Sequence, residues 1–240
     1  MARELIRMFK LALNAGHYKH SAGKRCHPDI DPNQTKEWVL NDRICDKIET
    51  ILSEYDGIEI LRIDDTTGEK DVSLSNRTKK ANEWGADLWF SLHHNAAGKL
   101  FSGGGIVAYV YTAPNEAELS YQRLFYDAAL KATGLYGNRS VPLARKNLHE
   151  LRETNMPAVL MECGFMDSSV DCPIILTDEY ASKLALAFAQ VIIEISGAKK
   201  KEEHKSVGYA LRIGYFDTYE QAEAFARVLT GSEIVSVELN

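Results

Sequence analysis

The run Ala-Asp-Leu-Trp-Phe-Ser-Leu-His-His-Asn-Ala, Ala86 to Ala96, constrains the fold more than any other stretch of the chain. An apolar segment of this length reads as a strand buried on both faces, which implies a sheet covered by helices on each side. The abrupt change to two histidines and an asparagine marks where the strand leaves the core. In α/β proteins, ligands and catalytic groups gather at the carboxyl ends of such strands.

Two other segments end in a comparable way. Met8 to His17 runs from apolar residues into Gly16-His17, and Pro157 to Phe165 carries a carboxylate, Glu162, within an apolar run. Burying that carboxylate as an ion costs several kcal/mol unless it is paired or metal-linked. Three strands thus direct His, His and Glu toward one sheet edge.

Helical periodicity separates these strands. A helix is expected from about Thr35, with Leu40, Ile44, Ile48, Ile51 and Leu52 inward and Glu37 in its first turn. Ile58 to Ile63 reads as a strand, and Val72 to Trp84 as a helix with Leu74, Ala81 and Trp84 inward. Ile106 to Tyr111 is another strand. Glu116 to Thr133 follows as a helix resting on Leu119, Leu124, Phe125, Ala128 and Ala129, and Gly137 to Thr154 reads as a mobile hairpin or loop near the site. Thr177 caps a last long helix carrying Tyr180, Leu184, Phe188, Val191 and Ile195. The alternation predicts an α/β fold with a mostly parallel, twisted sheet flanked by helices.

Residues 1–196 form the expected catalytic domain. Residues 197–206, rich in Lys and Glu, read as a linker. Residues 207–240 read as a small β-α-β unit, too short to bury a core alone and expected to pack on the main domain or on a second copy.

Charge and composition exclude several function classes. A net charge of -6 and the lack of a basic stripe argue against nucleic acid as a partner. No run approaches the roughly 18 apolar residues of a membrane span, so stable membrane insertion is not expected. The first ten residues lack the apolar core and cleavage site of a secretory signal, which predicts synthesis in the cytoplasm. Cys26, Cys45, Cys163 and Cys172 contain no C-x-x-C pair and read as free thiols.

His17, Glu37 and His93 together make a His-Glu-His set of the kind that leaves one zinc position open. Successive strand residues face opposite sides, so His93 and His94 do not both serve one ion, and periodicity leaves open which of them does. The loop between the first strand and helix also carries ligand atoms on His20, Cys26, His27, Asp29 and Asp31.

At these residues the chain resembles the zinc-dependent N-acetylmuramoyl-L-alanine amidases of the type-3 class. That family's ordered motifs are matched by Gly16-His17, Glu37, Ser91-Leu92-His93-His94-Asn95 and Pro157 to Phe165, with a smaller signature at Leu74, Arg77 and Ala81-Asn82. The match spans about residues 8 to 195, and Asp167-Ser168 replaces the family's usual Ser-Asn after Phe165, a change not expected to affect chemistry.

The resemblance implies His17, Glu37 and His93 as ligands of a Zn2+ ion and Glu162 as the catalytic carboxylate. The implied substrate is bacterial peptidoglycan, cut at the amide between N-acetylmuramic acid and L-alanine. The enzyme would act on the cell wall after release from the cytoplasm, as phage or prophage endolysins do, and a spore-forming host's mother-cell lytic enzyme fits the sequence equally well. Asn95 and the basic residues Arg139, Arg145 and Lys146 are candidates for substrate contact. Tyr209 to Phe216 with Tyr219 to Ala224 resembles half of a glycan-binding SPOR repeat, which suggests that two chains pair their halves into a homodimeric wall-binding module. Three competing readings are a different zinc hydrolase on the same fold, a cysteine hydrolase using Cys163 with His94 or His149, and a catalytically silent peptidoglycan-binding module.

Overall fold

The computed structural model describes residues 7–135, 142–202 and Thr218. The chain divides into two compact units, Met1–Lys201 and Glu202–Asn240. The expected β-α-β unit and its pairing lie outside the described residues, as does Arg139.

The first unit is built on a sheet of six strands: β1 (Phe9–Ala15), β3 (Ile58–Arg62), β4 (Leu88–Asn95), β5 (Ile106–Val110), β6 (Leu143–Arg145) and β7 (Ala158–Phe165). Their order across the sheet is β3-β1-β4-β7-β5-β6. Every neighbouring pair is parallel except β5 with β7. The mostly parallel α/β fold expected from the alternation is the one observed.

Strand parity decides which helices each strand residue meets. Leu11, Leu13, Leu88, Phe90, Leu92, Val159 and Met161 share one core with α1 (Glu37–Leu52), α3 (Glu116–Thr133) and α6 (Asp178–Ser196). Ala12, Trp89, Ala158 and Leu160, the intervening residues, share another with α2 (Leu74–Trp84) and the short α4 (His149–Arg152). In the first core Phe90 stacks on Phe125 at 4.1 Å while Phe188 meets both edge-on. Truncating such a ring typically costs about 3–5 kcal/mol. The central strands are therefore clamped on both faces, and their carboxyl ends are held fixed.

The caps follow local chemistry. The Thr177 hydroxyl accepts from the Tyr180 amide at 3.2 Å, as expected for the start of α6. Asn115 and Glu118 form a reciprocal capping box on α3. A further helix, α5 (Asp171–Ile175), follows β7.

On two helices most of the residues expected inward pack on the core, Ala81 and Trp84 on α2 and Leu124, Phe125, Ala128 and Ala129 on α3, but one leucine of each does not. Leu74 and Leu119 are exposed, not inward. On α2 the buried positions are Arg77, Thr78 and Ala81, and on α3 they include Glu118, Gln122, Phe125, Tyr126 and Ala129. The cause is backbone satisfaction: Gln122 Nε2 donates to the carbonyls of Ala108 and Ala144, and Arg77 to those of Ala15 and His17. Unpaired buried carbonyls are costly enough to outweigh one leucine side chain.

Among its described residues, the segment expected to be a mobile hairpin or loop before Thr154 holds β6 and α4. The carbonyl of Glu153 accepts from Asn82 Nδ2 and the Asn155 amide donates to Asn82 Oδ1, which docks this segment on α2. Within the stretch expected to link the units, Lys199–Lys200 (β8) pairs antiparallel with Tyr55–Asp56 (β2). Among the described residues no helix is long and apolar enough to cross a membrane.

Candidate metal centre

The carboxyl ends of β1, β4 and β7, three adjacent strands, converge on one cluster. His93 on β4 is the register partner of Glu162 on β7, so parity sets both on the face that also carries Trp89, Leu160 and the α2–α4 core. His17 lies just past β1 in a left-handed turn with φ of 68°. That conformation is uncommon for a residue with a side chain. Arg77 Nη2 holds the His17 carbonyl at 2.7 Å, and the Gly16 amide donates to the Leu92 carbonyl at 2.9 Å.

Gly16 is required by the closeness of His93. A Cβ on Gly16 would lie 2.1 Å from the His93 ring, closer than any side chain allows. The Gly-His pair is therefore a steric necessity: glycine admits the His93 imidazole, and the next residue brings in its own.

Glu37 arrives from the first position of α1, where its amide donates to the Lys24 carbonyl at 3.0 Å. The loop before it folds back on itself through the Cys26 amide and Thr35 carbonyl, and the Asp31 carboxylate accepts from the Asn33 and Thr35 amides. That loop turns the N-terminus of α1 over the strand ends. Glu37 Oε1 lies 3.1 Å from His93 Nδ1 and 3.4 Å from His17 Nε2, and it accepts the His94 amide at 3.2 Å. One ligand atom from each of His17, Glu37 and His93 lies within 4.8 Å of the others, a set suited to a metal ion. The two imidazoles meet edge-on with centroids 5.0 Å apart.

The other candidate ligands of the loop go elsewhere. His20 pairs with Glu69 at 3.1 Å, His27 Nδ1 accepts the Asp29 amide, and Cys26 is fully buried. His94, on the opposite face of β4, contacts Asn41 Oδ1 through Nδ1 at 2.8 Å, and burial pushes its pKa down to about 3. It is a neutral core histidine.

Burial works against every charge in the cluster, and the partners decide the outcome. Burial opposes ionisation of Glu37, but His17 and His93 hold its carboxyl well below the usual range. Burial likewise opposes a charge on His93, yet the carboxylates of Glu150 and Glu37 hold it up at about 10. For Glu162 burial prevails: it raises the pKa to about 7, with Glu37 adding to the rise and His93, Lys24 and Lys146 opposing it. Part of the Glu162 side chain faces solvent, but Oε2 does not.

The donor chemistry fits a zinc ion. Oε2 of Glu37 and Oε2 of Glu162 are buried without a hydrogen-bond partner among the described residues. Lys24 Nζ approaches Glu37 Oε2 only to 3.6 Å, beyond hydrogen-bond reach, so carboxylate oxygens without a hydrogen bond stand beside two imidazole nitrogens, an arrangement that suits a bound cation.

The remaining candidates lie around this centre. Asn95 Oδ1 accepts the Ala96 amide, shaping the turn after β4. Arg145 is exposed at the end of β6, and Lys146 beside it lies over the Tyr109 ring at 5.3 Å. Asp167 and Ser168, which depart from the family pattern, pin the following loop: Asp167 accepts the amides of Ala97 and Gly98, and the Ser168 hydroxyl donates to the Gly103 carbonyl. Cys163 is fully buried and its thiol is pushed well above the ordinary value, which removes it as a nucleophile. Sequence reasoning missed Glu150 on α4, a buried carboxylate 3.4 Å from His93 Nε2. It sits in a polar stretch, Lys146 to Glu153, where only the flanking Leu148 and Leu151 hint at a buried turn.

Two histidines and one carboxylate, gathered at the carboxyl edge of a mostly parallel sheet, make a set that could hold a metal ion. A family model described as N-acetylmuramoyl-L-alanine amidase matches residues 11–194. The chain is 31% identical over 220 residues to the sporulation-specific N-acetylmuramoyl-L-alanine amidase of Bacillus subtilis (strain 168), covering 91% of this chain and 80% of that protein. It is 33% identical over 193 residues to the endolysin of Bacillus phage SPP1, covering 79% of this chain and 66% of that one. The catalytic domain of CwlV, an N-acetylmuramoyl-L-alanine amidase from Bacillus (Paenibacillus) polymyxa var. colistinus, shares the fold with a TM-score of 0.70 at 24% identity, over 80% of this chain and all 100% of that one. The chain belongs to the N-acetylmuramoyl-L-alanine amidase family and is an enzyme of that class.

Proposed function

We propose that the chain hydrolyses the amide joining the lactyl group of N-acetylmuramic acid to L-alanine in bacterial peptidoglycan, with zinc held by His17, Glu37 and His93. Zinc held there supplies a Lewis acid for the scissile carbonyl and lowers the pKa of water toward about 7. Glu162 takes the proton of the attacking water and passes it to the departing L-alanine amine. The observation that carries this role is a carboxylate held near pKa 7 by burial, with Oε2 unpartnered, in register with His93. A group poised near neutrality both accepts and returns a proton at little cost.

Arg145 and Lys146 are read as counter-ions for carboxylates of the peptide stem. Their exposure and the reach of the Lys146 charge to Glu162 support this. Asn95 is assigned to shaping the substrate-side turn. Synthesis in the cytoplasm followed by action on the wall accords with the phage endolysin relative.

The test replaces Glu162 with glutamine, which keeps size and removes the base. Turnover of purified peptidoglycan is expected to fall by about 10²–10⁴-fold, with zinc content unchanged. Mass spectrometry of the wild-type digest should show new L-alanine amino groups and no new reducing sugars. Full turnover by Glu162→Gln would remove that residue from the mechanism, and new reducing ends would replace the amidase reading with a glycosidase.

A further inference from the structure

We infer that Glu150 is a positioning residue for the metal centre: it fixes the His93 ring with Nε2–H toward Glu150, so that Nδ1 presents its lone pair to the site shared with His17 and Glu37. This rests on the zinc reading above and assigns a role to a carboxylate outside the ligand set.

The geometry divides the two nitrogens of His93 between two carboxylates. Nδ1 faces Glu37 Oε1 at 3.1 Å, inside the cluster. Nε2 is buried without a well-directed hydrogen bond, and Glu150 Oε1 lies 3.4 Å from it. A carboxylate accepts and does not donate, so the proton belongs on Nε2 once Nδ1 is a ligand. Carboxylates behind metal-bound histidines set the tautomer, fix the ring and raise its basicity.

Glu150 is itself held for this task. Its Oε2 accepts from Trp89 Nε1 at 3.2 Å and Asn14 Nδ2 at 3.3 Å, which leaves Oε1 for His93. Asn14 Nδ2 also reaches Ser91 Oγ at 2.9 Å, and Asn14 Oδ1 accepts from Arg77 Nη1 at 2.7 Å. The same guanidinium holds the Ala15 and His17 carbonyls. Strand parity explains the convergence: Asn14, Trp89, Ser91 and His93 all project to the face covered by α4. One buried network thus connects the supports of both histidines.

Zinc affinity, measured on the full chain by competition with a chelator, is expected to fall about 10–100-fold in Glu150→Gln, and further in Glu150→Leu, which has no acceptor. In nitrogen-resolved NMR of the zinc-loaded wild type, the His93 ring proton should appear on Nε2, shifted downfield by the carboxylate, and should move upfield in Glu150→Gln. Wild-type affinity and an unmoved ring proton in a folded Glu150→Gln would overturn the inference. So would a His93 proton on Nδ1 in the wild type, a measurement that needs no variant to fold. His17→Ala separates the two levels: if it abolishes zinc binding while Glu150→Gln binds normally, the metal site stands and only the positioning role fails. A wild-type chain that binds no zinc defeats both.

Discussion

Helix α1 supplies carboxylates to two charge clusters, and the two are completed differently. At the end of β3 the guanidinium of Arg62 bonds Asp42 at 2.5 Å, Asp46 at 2.8 Å, Glu49 at 2.9 Å and Asp64 through two nitrogens at 2.9 and 3.0 Å. All three of its nitrogens are engaged, and Asp64 also accepts the Ala15 amide. One turn or more earlier on the same helix, Glu37 faces two imidazoles with Oε1, while Oε2 makes no hydrogen bond and meets only the Lys24 ammonium at 3.6 Å. In the first cluster the cation is buried and bonded through all three nitrogens, whereas in the second a half-exposed Lys24 ammonium approaches Glu37 Oε2 only to 3.6 Å, leaving room for a bound cation among the ligand atoms. An internally paired cluster holds the fold together, whereas a cluster with orphaned atoms is arranged for a ligand.

The largest break in this comparison is Arg62→Ala. Losing the guanidinium strands Asp64 and Asp42 among buried neighbours and should destabilise the chain by about 3–5 kcal/mol, read by chemical denaturation, while zinc affinity per folded molecule stays near wild type. A small stability loss coupled to lost zinc binding would mean that the two clusters are not separable.

Glu162→Gln should have the opposite sign in the zinc-free protein. Burial raises the Glu162 pKa from 4.5 to about 7, so the folded chain keeps a proton that the unfolded chain has already released. Stability therefore falls as pH rises from about 4.5 through about 7, and glutamine removes that slope. The variant should exceed wild type by up to about 3 kcal/mol above pH 7, at 1.36 kcal/mol per pKa unit, and match it below pH 4. Denaturant melts across this range would expose parallel curves if Glu162 were already satisfied.

The smallest effect is that of zinc itself. At a free concentration one hundred times Kd, binding should stabilise the wild type by about 2.7 kcal/mol. The accompanying rise in Tm should reverse on chelation and vanish in His17→Ala, but persist in Glu162→Gln. A rise that survives His17→Ala would point to a different metal site.

Much of this arrangement was legible from local patterns. Apolar runs ending in polar residues gave away β1, β4 and β7, because a strand buried on both faces has no other reason to change character so abruptly. The Gly-His pair and the Glu162 strand stood out for the same reason. Most inward positions of α2 and α3 were read correctly, but Leu74 and Leu119 were misplaced because they look like core residues, while Arg77 and Gln122 look like surface ones. What decides between them is which backbone carbonyls remain unpaired at the sheet edge, and that depends on strand order. Glu150 was missed because α4 is a single turn in a polar stretch, and its docking relies on Asn82, far away in sequence.

By itself the sequence determined the α/β class, the three converging strands and the residue types that converge, since hydrophobic periodicity and the cost of burying charge act locally. Periodicity left the His93-His94 pair open, and only the family resemblance chose His93. The tertiary structure gives the physical reason for that choice, and it alone decided that Gly16 must lack a side chain beside His93 and that Glu150 stands behind it. Those outcomes follow from β4 lying between β1 and β7, and from the helices laid over each face of the sheet. Contacts across more than fifty residues of chain are set by that packing, and no short-range pattern encodes them.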